Sequence, residues 1–171
     1  MTPGQVFTGV KQVCVVVRDL DAAVRRYYDD YGIGPWYLFR YEDIEGVAGG
    51  ERVRFSVRVA LTRVDDRFEW ELIQPLDDRS IYAEFLRERG EGVHHVAVEV
   101  PDLPAAIDWA GGMVQSHAGM HGGRQRYAML ETAADLGLIL EVSDYSGGWE
   151  RPGADGMYPG PTSGVVPSLD Y

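Results

Sequence analysis

The stretch Val10–Val24, VKQVCVVVRDLDAAV, returns as VHHVAVEVPDLPAAI at Val93–Ile107. Val10, Val13, Val15, Val17, Asp19, Leu20, Ala22 and Ala23 reappear as Val93, Val96, Val98, Val100, Asp102, Leu103, Ala105 and Ala106, all at an offset of 83 residues. Self-similarity at a constant offset marks two copies of one structural unit. In each copy valine alternates with other residues and then gives way to DLxAA[VI], which predicts a strand with one buried face followed by a helix opened by aspartate. Asp19 and Asp102 are therefore read as caps or turn residues, not as acids. The same offset pairs Gln12 with His95.

Outward from this repeat, the pattern predicts strands over 11–17, 36–41, 52–61 and 67–73 with a helix over 21–31, then a short helix over 80–89 closed by the glycines of GEG. The second copy predicts strands over 94–100, 113–118, 125–131 and 138–143 with a helix over 103–110, and reads GMHGG as a turn or mobile loop. Both halves are then βαβββ modules, 9–75 and 92–145, joined by a linker helix at 76–91. From Ser146 onward the chain is rich in Gly and Pro without a period, which predicts an irregular tail at 146–171. Its Trp149, Tyr158 and Tyr171 suggest that it packs on the body or on a partner chain.

Composition bounds the rest. The chain of 171 residues, 45% hydrophobic, suits one domain of two halves. No apolar run approaches the roughly 20 residues of a membrane helix, and MTPGQVFTG lacks the regions of a signal peptide. A net charge of −11 with no basic run gives no nucleic-acid footprint. Cys14, the sole cysteine, can form no internal disulfide. The expectation is a cytoplasmic protein, a homodimer, with a small-molecule ligand and no nucleic-acid or membrane partner.

Paired βαβββ modules with this opening resemble the vicinal oxygen chelate superfamily, which includes glyoxalase I, methylmalonyl-CoA epimerase, extradiol dioxygenases and bleomycin-resistance proteins. The resemblance runs through VKQVCVVVRDLDAA, FEWELIQPL, GVHHVAVEV and LGLILEVSD and is nearest the epimerase-like branch. It implies an α+β fold whose two modules form a curved mixed sheet around a cavity. It also implies that the first and last strands of each module place one metal ligand on the concave face, here Gln12, Glu71, His95 and Glu141.

Strand parity agrees with that placement. Side chains alternate along a strand, so Val13, Val15 and Val17 can face the helix while Gln12, Cys14 and Val16 face away from it, and Val96, Val98 and Val100 likewise oppose His95, Ala97 and Glu99. Parity and the repeat both favour His95 over the adjacent His94. Tyr37, Phe39 and Tyr41 form one row of the second strand, and either this row or Trp36 and Leu38 lines the cavity. Cys14 reads as a small buried thiol with no required role.

The chain also departs from the family pattern. Gln12 stands where the glyoxalases and the epimerase have histidine, so one imidazole, one amide and two carboxylates remain. That oxygen-rich set suits Mn, Mg, Co, Ni or Fe(II) and disfavours a dioxygenase iron centre. A metal-free site, with Gln12, Glu71 and Glu141 hydrogen-bonding a ligand directly, stays open. The epimerase has a catalytic glutamate seventeen residues before the ligand of its fourth strand, where this chain has Arg54, and Glu51 would need a one-residue register shift to reach the concave face. Two-base epimerisation is therefore not expected. The expected function is a metal-dependent lyase or isomerase that moves a proton on a substrate with vicinal oxygens, using Glu141 or Glu71. Tyr37, Phe39, Arg124 and Arg126 are candidate substrate contacts. The alternative is a non-catalytic binder of the bleomycin-resistance type.

Overall fold

Aspartate caps and valine alternation build the same strand–helix unit twice along the chain. The computed structural model describes residues 7–48, 50–65, 68–110, 114–119, 125–144, 152–160 and 169, with side chains described at all of these except 48, 114–119, 125 and 126. The first module runs β1 (Gly9–Val16), α1 (Leu20–Tyr31), β2 (Trp36–Ala48), β3 (Glu51–Arg63) and β4 (Glu69–Pro75). After α2 (Ile81–Arg89), the second runs β5 (Gly92–Glu99), α3 (Leu103–Trp109), β6 (Val114–Gly119), β7 (Gln125–Leu130), α4 (Ala133–Leu136) and β8 (Ile139–Ser143). A last strand, β9 (Gly156–Tyr158), follows.

The two helix starts are built alike. Asp19 accepts a hydrogen bond from the Ala22 amide at 3.0 Å, and Asp102 accepts one from the Ala105 amide at 2.9 Å. Each aspartate satisfies one of the amides that a helix start leaves unpaired.

The modules meet where β1 pairs antiparallel with β5. β4 lies parallel to β1 on the outer side and β8 lies parallel to β5. The sheet order is β3-β4-β1-β5-β8-β7-β6-β2-β9, and β2 also pairs with β3, so the far edges of the two modules come together. The β1–β5 ladder carries two register shifts, one between Val10 and Gln12 and one between Cys14 and Val15. The extra residues are Lys11 on β1 and His94 on β5, and these are equivalent in the repeat. Bulges at matched positions follow from one unit used twice, and they leave the equivalent Val10 and Val93 similarly exposed, at 54% and 51%.

Alternation sorts the side chains into two kinds of core. Val15, Val17, Leu20, Val24, Trp36, Ala60 and Leu72 pack between the sheet and α1. Val98, Val100, Leu103, Ala106 and Val142 do the same beneath α3. The concave face gathers Cys14, Val16, Phe39, Phe55, Val57, Ile73, Met129 and Ile139, with Ile81 and Tyr82 of α2 laid over them. The Tyr37–Phe39–Tyr41 row is thus the concave one. A bulge between Tyr41 and Ile44 then lets Ile44 face inward as well.

The 146–171 segment was expected to be irregular, but it contains β9. This strand pairs with Trp36–Leu38 of β2. Asp155 accepts from the Arg40 amide at 2.7 Å, and the Tyr158 hydroxyl donates to Asp29. Tyr158 also packs edge-on against Tyr28 at 5.8 Å. The Gly/Pro composition concealed a strand of three residues. Among the described residues no helix is long and apolar enough to cross a membrane.

Asp19→Ala and Asp102→Ala should each lower stability by roughly 1 kcal/mol, the usual worth of an N-cap. The caps lie in separate modules, so the double variant should lose about the sum. Urea unfolding of the three variants checks both points.

Candidate metal and proton-transfer site

On the concave face the register sets two rows of side chains across four strands. One row is Glu71 (β4), Cys14 (β1), His95 (β5) and Ile139 (β8). The other, one pleat along, is Glu69, Gln12, Ala97 and Glu141. In the repeat Gln12 corresponds to His95 and Cys14 to Ala97, and each parallel strand brings its glutamate two residues past the partner of Gln12 or His95.

Glu71, His95 and Glu141 come together at the centre. Nε2 of His95 lies 3.2 Å from Oε2 of Glu141 and 3.5 Å from Oε2 of Glu71. His95 is fully buried, and its Nε2 has no hydrogen-bond partner. The Ser143 hydroxyl donates to Oε1 of Glu141 at 2.6 Å, which turns the other oxygen towards the imidazole. Gln12 is buried on the same face, joined by register to Glu141 through Ala97.

Burial dominates the electrostatics. It pushes the Glu141 carboxyl up to about 7, against the smaller opposing effect of the Ser143 hydroxyl. Burial, and then His94, hold His95 well below the usual imidazole range, while His94 is held to about 4 by burial and then Arg89. Nδ1 of His94 and Nδ1 of His95 lie 3.0 Å apart. When the proton between them sits on His95, its Nε2 presents a lone pair to two carboxylate oxygens. A buried lone pair beside two carboxyl groups is an arrangement that a cation reconciles, and the ligand atoms that all lie within 4.8 Å of one another are those of Cys14, Glu71 and His95.

The two distances from the imidazole to the carboxylates suit such an ion. Bonds of about 2.1 Å at octahedral or tetrahedral angles put neighbouring donor atoms roughly 3.0–3.4 Å apart. The observed 3.2 and 3.5 Å lie close to that range.

Other expected residues fall differently. Phe39 is buried in the concave core, stacked on Tyr41 with ring centroids 6.1 Å apart, and Tyr37 packs against the same cluster. Arg124 lies outside the described residues, as do residues 120–123 of GMHGG, whose first glycine ends β6, and Arg126 sits on β7 with its side chain outside them. Arg54 faces outward and ion-pairs with Glu45. Val53, Phe55, Val57, Val59 and Leu61 face inward, so Glu51 has inward parity without any register shift, but it is exposed at the start of β3. The shift expected from sequence is corrected, and no β3 carboxylate joins the cluster.

Sequence reasoning missed several neighbours. The bulge turns His94 inward as well as His95, and its ring packs against Tyr82 and Phe85 at 5.0 and 5.1 Å. Tyr82 is a buried phenol and Tyr127 a half-buried one, both raised above their ordinary range by desolvation and then by neighbours that include Glu141 and Glu71. Ser143 shares the parity of Glu141, a signal that was present in LEVS and went unused.

Residues 11–124 match the model of the Glyoxalase/Bleomycin resistance protein/Dioxygenase superfamily, and the chain belongs to that family. No curated protein matches it in sequence. Its fold is similar to that of a hypothetical protein from Bacillus halodurans, with TM-score 0.61, 19% identity, and 84% of this chain and 98% of that one covered. It is also similar to methylmalonyl-CoA epimerase from Mycobacterium tuberculosis, with TM-score 0.56, 24% identity, and 84% and 92% covered. A variant of the Streptomyces coelicolor epimerase in complex with 2-nitronate-propionyl-CoA gives TM-score 0.57, 21% identity, and 82% and 99% covered.

Because the folded pKa of Glu141 exceeds its unfolded value, stability falls as pH rises from the free carboxylate range, about 4.3, and levels off beyond about 7. In metal-free protein, Glu141→Gln should therefore gain on wild type by roughly 3 kcal/mol between about pH 5 and about pH 8. Denaturant unfolding with chelator present measures the gain, and an unchanged difference across that range would rule out the desolvated carboxyl.

Proposed function

We propose that this protein is a metal-dependent lyase or isomerase of glyoxalase type, acting by proton transfer on a small substrate with vicinal oxygens. The observation that carries this reading is the buried His95 Nε2, unpartnered and flanked by Glu71 and Glu141. Gln12, Glu71, His95 and Glu141 are the residues that would hold a divalent ion. When bound, the ion supplies Lewis-acid polarisation of two adjacent substrate oxygens, which acidifies the neighbouring C–H.

The rest is done by side chains of this chain. Glu141, the carboxyl nearer the imidazole, would take and return the substrate proton; burial holds it near 7 in the metal-free site, and a bound ion would lower it from there. Glu71, on the opposite side of the imidazole, is the other candidate. The Ser143 hydroxyl fixes one oxygen of Glu141 and leaves the other to work. Arg54 faces outward, so a second, opposed base is not supplied from the position used by the epimerase, and the chemistry is that of one base. Tyr37 and Phe39 exclude water beside the site, and Arg124 and Arg126 are assigned to an anionic group of the substrate. The two-module division at 9–75 and 92–145, a homodimer and a cytoplasmic location belong to the same proposal.

Calorimetric titration of Mn²⁺, Co²⁺ and Ni²⁺ into wild type, His95→Ala and Gln12→His tests it. Wild type should bind one ion per chain and His95→Ala none, with its circular dichroism unchanged. Gln12→His should bind about tenfold tighter or more, because imidazole is a better ligand than an amide for these metals. No binding by wild type or Gln12→His would remove the metalloenzyme and leave the small-molecule binder as the account of the fold.

A further inference from the structure

The cluster contains a sulfur that the oxygen-rich ligand set does not use. On the reading that the site holds a divalent ion, we propose that Cys14 is one of its ligands, as a thiolate, and that the site therefore prefers a sulfur-tolerant metal, Zn²⁺, Fe²⁺ or Co²⁺, over Mg²⁺ or Mn²⁺.

The position follows from the repeat. Cys14 and Ala97 are equivalent, and they are the small residues at the middle of the two rows that cross the site. Ala97 brings a methyl group towards the centre, and Cys14 brings a sulfur. Cys14 stands opposite His95 and beside Glu71, and its Sγ, a Glu71 oxygen and a ring nitrogen of His95 all lie within 4.8 Å of one another. The sulfur is fully buried and hydrogen-bonded to Glu71.

The second observation is independent of the sulfur. Nε2 of His95, wholly buried, has no hydrogen-bond partner. As a ligand Cys14 would exchange its S–H bond for a bond to the ion, and its proton would leave along the hydrogen bond to Glu71 and then to solvent. Thiolate, imidazole and carboxylate together favour the later, softer ions over Mg²⁺ and Mn²⁺. The site is then more selective than a glutamine, a histidine and two glutamates would make it.

Cobalt reports the ligation directly. The full chain, titrated with Co²⁺ and followed by absorption, should develop an intense sulfur-to-cobalt charge-transfer band in the near ultraviolet, saturating at one ion per chain. With one cysteine in the sequence, the band has a single possible origin. Cys14→Ala should still bind Co²⁺ through Glu71, His95 and Glu141, without the band and with affinity lowered about tenfold or more, while its Mn²⁺ affinity changes little. Cobalt bound by wild type without the band would overturn thiolate ligation and leave the metal reading standing. No cobalt binding by wild type would overturn both, and neither result depends on a variant folding.

Discussion

The antiparallel pairing of β1 with β5 is the constraint on which the rest of the molecule depends. It joins the two copies of the repeat edge to edge and sets Gln12 against Ala97 and Cys14 against His95. The parallel partners β4 and β8 then have no choice about where Glu71 and Glu141 arrive. A slip of one residue would send every one of these side chains to the helix-covered face. The matched bulges at Lys11 and His94 pin the ladder at both ends, so the register that builds the core also assembles the polar cluster.

That cluster works against the stability of the fold that holds it. Two carboxylates, an imidazole and a thiol sit among Val16, Ile73, Met129 and Ile139 on a face where water has little access. The same desolvation that raises Glu141 lowers His95, so the metal-free protein keeps its polar groups in their less charged forms. Function and packing thus draw on one cause. The apolar walls that make the charges expensive are what give the carboxyl and imidazole their altered proton affinities.

Much of this was legible in the sequence because a repeat at fixed offset is stronger evidence than any single motif. Valine alternation separated the helix-facing residues from the concave ones, and Asp19 and Asp102 marked the helix starts. Hidden were features that break a period. β2 continues to Ala48 past a bulge at which alternation fails, so the pattern ended at Tyr41. The bulge at His94 made strict parity choose between two histidines that are both buried. α4 is a four-residue turn of helix and β9 a three-residue strand, each too short to leave a periodic trace. Cys14 was passed over because its type invites a core reading, and its closeness to Glu71 and His95 depends on cross-strand register, which one strand read alone does not contain.

The short strand of the tail has a further consequence. Among the described residues β6 pairs with β2 along Glu45–Ala48, short of the other end of that long strand. β9 takes up Trp36–Leu38, and Asp155 holds the Arg40 amide next to it. An uncovered ladder of this kind is a template for another chain. The tail therefore does two things at once: Tyr158 and Leu169 add to the packed cores, and β9 covers a strand edge that, in a chain shortened before Asp155, would be open to pairing with other copies.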